Sequence, residues 1–218
     1  MSTATAHVPL VRPPSRRADG KARVRAALLG AARTLFARQG VAETTVDDIA
    51  RLAQVSRATA FNYFPSKQAL LEVLVHEMEA RFLHVMDGLS ERPGTAAERI
   101  AAVFSWTAAK VEETPELSRV LIGASETTFG ASPDSGVRTA RTHRAFVRLL
   151  AAGRRDGNVR RDVPAEVLAQ IVGGSYAGIL HAWRVGRRYP LRRRLDGVAA
   201  TLAELIAVRP ATRRGAAR

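Results

Sequence analysis

Three hydroxyl residues punctuate one short stretch of this chain, Thr45, Ser56 and Ser66, and each is followed by apolar residues at helical spacing. A Ser or Thr at such a position accepts a hydrogen bond from one of the free amides that open a helix, so the chain must start helices three times in quick succession. The first runs from Thr45 with Asp47 and Asp48 in its first turn, where carboxylates suit the positive dipole end, and with Ile49, Ala50 and Ala53 facing inward. Ser56 opens the second after only Gln54-Val55. Ser66 opens a far longer one, striped by Leu70, Leu71, Leu74, Met78, Phe82, Val85 and Leu89 and reaching about Ser90.

The remainder reads as helix almost throughout. Val24, Leu28, Ala31, Ala32 and Leu35 recur at helical spacing, with Leu29 and Phe36 beside them, and Gly40 follows as a stop. After Pro93-Gly94, Thr95 and Glu98 form the sequence signature of a capping box before a helix to about Glu113. Pro115 starts another to about Phe129, Gly130 to Gly136 reads as a loop, and a helix through Phe146 to Ala152 is stopped by Gly153. Pro164, at a first-turn position, opens a long apolar helix to about Val185, and a last one runs from near Leu191 to Val208. No alternating strand pattern competes. The expected fold is all-α, with about nine helices.

With 218 residues, 46% of them hydrophobic, there is enough apolar surface for a buried core and a folded, soluble protein. Thirty-four Lys and Arg against 20 Asp and Glu leave a formal charge of +14. Such an excess suits a polyanionic partner such as nucleic acid or an anionic membrane surface, although an Arg-rich proteome produces it too. Cysteine is absent, which excludes disulfides, thiol nucleophiles and cysteine-held metal centres. No stretch is long and apolar enough for a membrane span and none resembles an export signal, so a cytoplasmic location is expected. Residues 1–20, with Pro9, Pro13, Pro14, Arg12, Arg16 and Arg17, read as a flexible basic arm that could follow DNA phosphates or enter the minor groove; 210–218 read as a basic tail.

Two short helices joined by a tight turn allow the second to lie in a DNA major groove while the first crosses the backbone. In "SRATAFNYF" the inward positions are taken as Phe61 and Phe64, and the outward ones as Arg57, Ala58, Thr59, Ala60, Asn62 and Tyr63. Small residues there permit close approach to base edges, while Arg57 can bond guanine and Asn62 adenine bidentately. Thr59, Tyr63 and Lys67 have the chemistry of phosphate contacts, supported by the amides at the helix starts near Thr45 and Ser56.

At these residues the chain resembles the tetracycline-repressor (TetR) family of bacterial regulators, across "AARTLFARQG", "TTVDDIARLAQVS" and "ATAFNYFPSKQALL". The resemblance covers about Val24 to Leu74. It implies phosphate contacts from Thr45 and Thr59, base contacts from Arg57, Ala60 and Asn62, and a backbone clamp from Tyr63 and Lys67. Two positions depart from the family pattern: Gln54 replaces the usual turn Gly, and Phe61 replaces a Tyr, removing one hydroxyl. A left-handed Gln in that turn costs ~1 kcal/mol.

The resemblance divides the chain into a DNA-binding domain at 21–67 and a ligand-binding and dimerisation domain at 68–209. It further implies a homodimer paired through the last two long helices and a small-molecule pocket in the bundle. Gly174, Ala177 and Gly178 share a face that allows close helix approach, and Leu195, Val198 and Leu202 extend the expected interface. Phe104, Trp106, Phe129, His143, Tyr176, His181 and Trp183 are the candidate pocket residues, each with plain core packing as its alternative. The long helix from Ser66 is the expected lever between pocket and DNA.

Catalysis is not expected. "GGSYAG" lacks the spacing of a nucleophile elbow, His76-Glu77 has Ala80 where a zinc motif needs its second His, and no phosphate-cradling loop occurs. No cofactor or metal is expected. The function that follows is a ligand-responsive regulator, most simply a repressor released by a small molecule, that binds a palindromic double-stranded operator as a dimer. The alternative is a helical ligand-binding or scaffolding protein without DNA recognition.

Overall fold

The computed structural model describes residues 16–127 and 133–208, and all the regular structure among them is helical. The order is α1 (Arg16–Gln39), α2 (Val46–Leu52), α3 (Arg57–Tyr63), α4 (Lys67–Glu91), α5 (Ala96–Glu113), α6 (Pro115–Thr127), α7 (Pro133–Arg155), α8 (Ala165–Val185) and α9 (Leu191–Ile206). Thr45, Ser56, Ser66 and Thr95 are the N-caps of α2, α3, α4 and α5, each side chain accepting from a backbone amide three residues on. The hydroxyl punctuation of the sequence therefore sets these starts.

Three boundaries differ from the sequence expectation. Helix α1 begins at Arg16, inside the expected arm, with Asp19 in its first turn to favour the helix dipole; residues 1–15 and the basic tail lie outside the described residues. Helix α7 begins at Pro133, within the expected loop, since proline has no amide to leave unsatisfied in a first turn. Gly153 does not end that helix. It lies inside it because a Cβ there would stand 2.6 Å from Val159 and 2.7 Å from Ala96, and the left-handed residue that follows the helix is Gly157, at φ 75°.

Packing forms two apolar clusters. The N-terminal one gathers Leu28, Ala32, Phe36, Ile49, Ala50, Ala60 and Phe64. It also takes Leu70, Leu74 and Val75 from α4 and Leu121 from α6, past the expected boundary at residue 67. The larger one fills the bundle with Phe82, Phe104, Phe146, Leu149, Leu168, Leu195 and Leu202. Met78 touches both, so α4 runs through the two cores as a shared rod.

Candidate nucleic-acid interface and ligand cavity

Local bonds build the α2–turn–α3 unit. Thr45 Oγ1 accepts from the Asp48 amide at 3.1 Å, while the Asp48 carboxylate accepts from the Thr45 amide at 3.2 Å and its hydroxyl at 2.6 Å. Those bonds from Thr45, more than the nearby Arg51, hold the Asp48 carboxyl below its ordinary pKa. Gln54 carries the turn at φ 57°, the left-handed conformation expected of it, and the Val55 amide then bonds Ala50 O at 3.0 Å. Ser56 accepts from the Thr59 amide at 3.1 Å and its hydroxyl lies 2.8 Å from that of Thr59.

The faces of α3 differ from the expectation at two residues. Ala60 is 1% exposed and packs in the N-terminal core, whereas Phe61 is 39% exposed. Phe64 is the C-cap, with φ −140° and ψ 109°. It has left the helical path, so the burial of Phe64 does not carry Phe61 inward with it, and the inward arc passes through Ala60 instead. The outward face is Arg57, Ala58, Phe61 and Asn62, with Thr59 and Tyr63 half-buried at its edges. The Arg57 guanidinium lies 5.5 Å from the centre of the Phe61 ring and 3.2 Å from the Asp47 carboxylate of α2. Lys67 Nζ donates to Ala42 O at 2.8 Å, tying the start of α4 to the loop before α2. The sequence reading missed the outward Phe61; the non-helical residue before Pro65 was the available signal.

A cavity of about 1110 Å³ opens between α4, α5, α6, α7 and α8. Of the candidate pocket residues, Trp106, His143 and Tyr176 lie in its wall, joined by Thr107, Phe146 and Leu180. The Tyr176 ring packs against Phe82, Phe104 and Phe146 with centroids 5.3, 5.5 and 6.1 Å away, and its hydroxyl lies 3.2 Å from Thr107 Oγ1. Burial pushes its pKa up to about 12, leaving a neutral hydroxyl in the wall.

The other candidates fall elsewhere. Phe104 is fully buried behind Tyr176, and His181, with over half its side chain exposed, meets Glu126 of the cavity wall at 3.2 Å. Trp183 is buried beneath the Arg119 guanidinium at 4.3 Å. Phe129 lies outside the described residues.

Cations and carboxylates around the cavity are mostly paired. Glu77 meets Arg33, Glu113 meets Lys110 at 2.7 Å, and Glu126 meets Arg184 at 2.7 Å. Glu79 meets Arg138 Nε at 3.0 Å; burial raises its pKa, against the opposing pull of Arg138, His76 and Arg141.

Helix α8 exposes Val167, Ile171, Gly174, Ala177, Gly178 and Val185, of which Gly174 and Ala177 also line the cavity. A Cβ on Gly174 or Gly178 would meet nothing within 4 Å, so no described residue requires either glycine. Leu195 and Leu202, expected at a dimer interface, are instead buried in the chain's own core at 0% and 3% exposure, and Val198 is half-buried against it. The series Leu195, Ala199, Leu202 and Ile206 forms the inward stripe of α9. Among the described residues no helix is long and apolar enough to cross a membrane, and no cluster of His, Asp or Glu is suited to hold a metal.

Residues 28–74 match the bacterial regulatory proteins of the tetR family. The helix-turn-helix unit belongs to that family. Over 83 residues the chain is 34% identical to the HTH-type transcriptional regulator EthR of Mycolicibacterium smegmatis, a match covering 36% of this chain and 38% of that protein. The alignments thus span little more than a third of the first curated relatives, 38% and 37% of their lengths. A longer match, 26% identical over 71% of this chain and 77% of its counterpart, joins it to the HTH-type transcriptional repressor KstR2 of Rhodococcus jostii. The tetR-like fold extends through the bundle: SmeT, the repressor of a Stenotrophomonas maltophilia multidrug efflux pump, superposes with a TM-score of 0.70 at 21% identity, covering 86% of this chain and 91% of SmeT.

Proposed function

We propose that the protein is a ligand-responsive transcriptional repressor that binds a palindromic operator as a homodimer in the cytoplasm and releases it when a small molecule enters the bundle. The observation that carries this reading is the outer face of α3, where Arg57, Ala58, Phe61 and Asn62 are exposed while Ala60 and Phe64 hold the helix to the core. Arg57 and Asn62 have the donor and acceptor geometry for guanine and adenine, and Ala58 and Phe61 suit the methyl group of thymine. Thr45, Ser56, Thr59, Tyr63 and Lys67 flank that face as phosphate contacts.

The exposed small-residue face around Gly174, Ala177 and Gly178 is the proposed meeting place of two copies, with only the outer part of α9 taking part. Two heads on a twofold axis read a palindrome and combine their affinities. That the similar SmeT and KstR2 proteins are repressors favours repression here.

Coupling runs through two helices. Beside α4, α6 places Leu121 in the N-terminal core while its Arg119 donates to the carbonyls of Trp183 and Arg184 at 2.5 and 2.6 Å, closing the end of α8. Moving a population from 1:99 to 99:1 requires an effector to prefer one arrangement by roughly 5.5 kcal/mol.

The test is binding of the dimer to a palindromic duplex selected from random DNA, at several salt concentrations. Replacing Arg57 and Asn62 together with Ala should cost about 1–3 kcal/mol for each lost base contact. The thermal midpoint should scarcely move, both residues being exposed. Retained sequence preference in that variant would move the DNA-reading surface elsewhere, and absence of any salt-dependent binding would leave the helical ligand-binding alternative.

A further inference from the structure

Asp47 and Asp48 stand side by side in the first turn of α2 but are used differently. The Asp48 carboxylate closes the capping box with Thr45 and meets Arg51 of its own helix at 3.1 Å. Asp47 instead reaches across the turn, and its carboxylate lies 3.2 Å from Nη1 of Arg57, the first residue of α3. The Arg57 guanidinium also lies 5.5 Å from the centre of the Phe61 ring, one turn further along the same exposed face. One helix thus offers a carboxylate, and the other a ring, to a single cation.

For folding this arrangement is minor, because 71% of the Arg57 side chain and 43% of the Asp47 side chain are exposed and water screens the pair. At a DNA surface it matters more. A carboxylate beside the reading helix repels phosphates, in a chain whose formal charge of +14 otherwise favours them. What it supplies is geometry. A solvated Arg samples many rotamers, and that freedom is lost when its fork of donors meets a base edge. Contact with Asp47 at Nη1 holds one edge of the fork and the Phe61 ring steadies its face. Nε and Nη2 form the opposite edge, a parallel pair of donors that guanine O6 and N7 can accept.

We infer that Asp47 is a positioning residue for sequence recognition: it presets Arg57 for guanine and, by partly neutralising it, keeps it from acting as a general phosphate contact. The inference rests on the outer face of α3 being the surface that reads bases. Its signature is a pair of opposite effects. Removing the carboxylate should strengthen binding to DNA of any sequence and weaken discrimination at the base pair that Arg57 reads, whereas damage to the fold would weaken both.

The test uses the full-length protein and a palindromic duplex selected from random DNA, together with copies that carry each single base-pair change in both half-sites. Binding is measured over a range of salt for the wild type, Arg57→Ala, Asp47→Asn and the double variant. Arg57→Ala locates the base pair concerned, as the position where preference relaxes by roughly tenfold or more. There Asp47→Asn should lose about fivefold in discrimination, with the other positions unchanged. Its affinity for a duplex of unrelated sequence should rise about threefold, and its salt slope should steepen by up to about 1 per protomer. The double variant should match Arg57→Ala at that base pair, and the thermal midpoint of Asp47→Asn should scarcely move. Full discrimination in Asp47→Asn, or a loss spread evenly over all positions, overturns the positioning role and leaves the base-reading face in place. Weaker binding to every duplex with a lowered thermal midpoint assigns Asp47 to the fold alone and overturns it too. If Arg57→Ala relaxes no position, the reading of α3 fails and the role of Asp47 falls with it.

Discussion

The N-terminal unit and the bundle are built by different means although both are helical. In the unit, Thr45, Ser56 and Ser66 fix where each helix begins, so the start and length of α3 are set by bonds between residues three apart. In the bundle, α8 and α9 start at Pro164 and Pro190 with no side-chain cap bond, and their position comes from the stripes they bury. A surface that must match the fixed dimensions of a duplex benefits from local determination. A cavity for a small molecule is instead assembled from walls far apart in the chain, Glu79, Thr107, Arg138 and Tyr176 among them.

The sharpest way to break this contrast is to damage each core in turn. Phe36 and Phe146 are both fully buried, one in each cluster, and replacing either with Ala should cost about 3–5 kcal/mol. Because Met78 on α4 packs against both clusters, each variant should still unfold in one transition in urea, at a lower midpoint. A separate early transition for Phe36→Ala would show that the N-terminal unit melts alone and that α4 does not join the two.

A smaller effect compares one device in two places. Thr45 with Asp48 and Thr95 with Glu98 are both reciprocal capping boxes. Replacing either Thr with Ala should cost about 1 kcal/mol in stability. Only Thr45→Ala should also weaken operator binding in a gel-shift titration, and equal losses would contradict the local role of the first cap.

The smallest effect is that of acid. Hydrogen bonds from Thr45 and Thr95 hold Asp48 and Glu98 below their ordinary values of 3.8 and 4.5. A carboxyl whose pKa falls on folding stabilises above its unfolded value and loses that contribution as pH drops through the folded one. The Asp48 contribution should therefore be full above pH 3.8 and the Glu98 contribution above pH 4.5, each fading as pH falls below its own value, as read from the two carboxyl titrations by NMR. Glu79, raised by burial, has the opposite sign: its protonation favours the fold, and that contribution fades as pH rises.

Local signals in the residues foretold the caps, and the family resemblance foretold the left-handed Gln54. They failed where a position's meaning depends on a distant partner. Gly153 reads as a helix stop until Val159 and Ala96 are seen to close on it. Leu195 and Leu202 read equally well as an interface or a core, and His181 shares its helix with Tyr176 yet meets the cavity wall only through Glu126. Arg138 carries no motif at all, and its pairing with Glu79, 59 positions away, exists only in the fold.

The order of amino acids alone settled an all-helical chain, the starts of its capped helices and a short helix bearing Arg57 and Asn62 outward, because amides and hydroxyls within one turn find each other without outside help. Tertiary structure decided that Phe61 rather than Ala60 faces outward, which leucines belong to the chain's own core, and that Glu79 and Arg138 meet at one corner of the cavity. Those outcomes depend on which surfaces exclude water together, and periodicity names a buried side without naming what buries it.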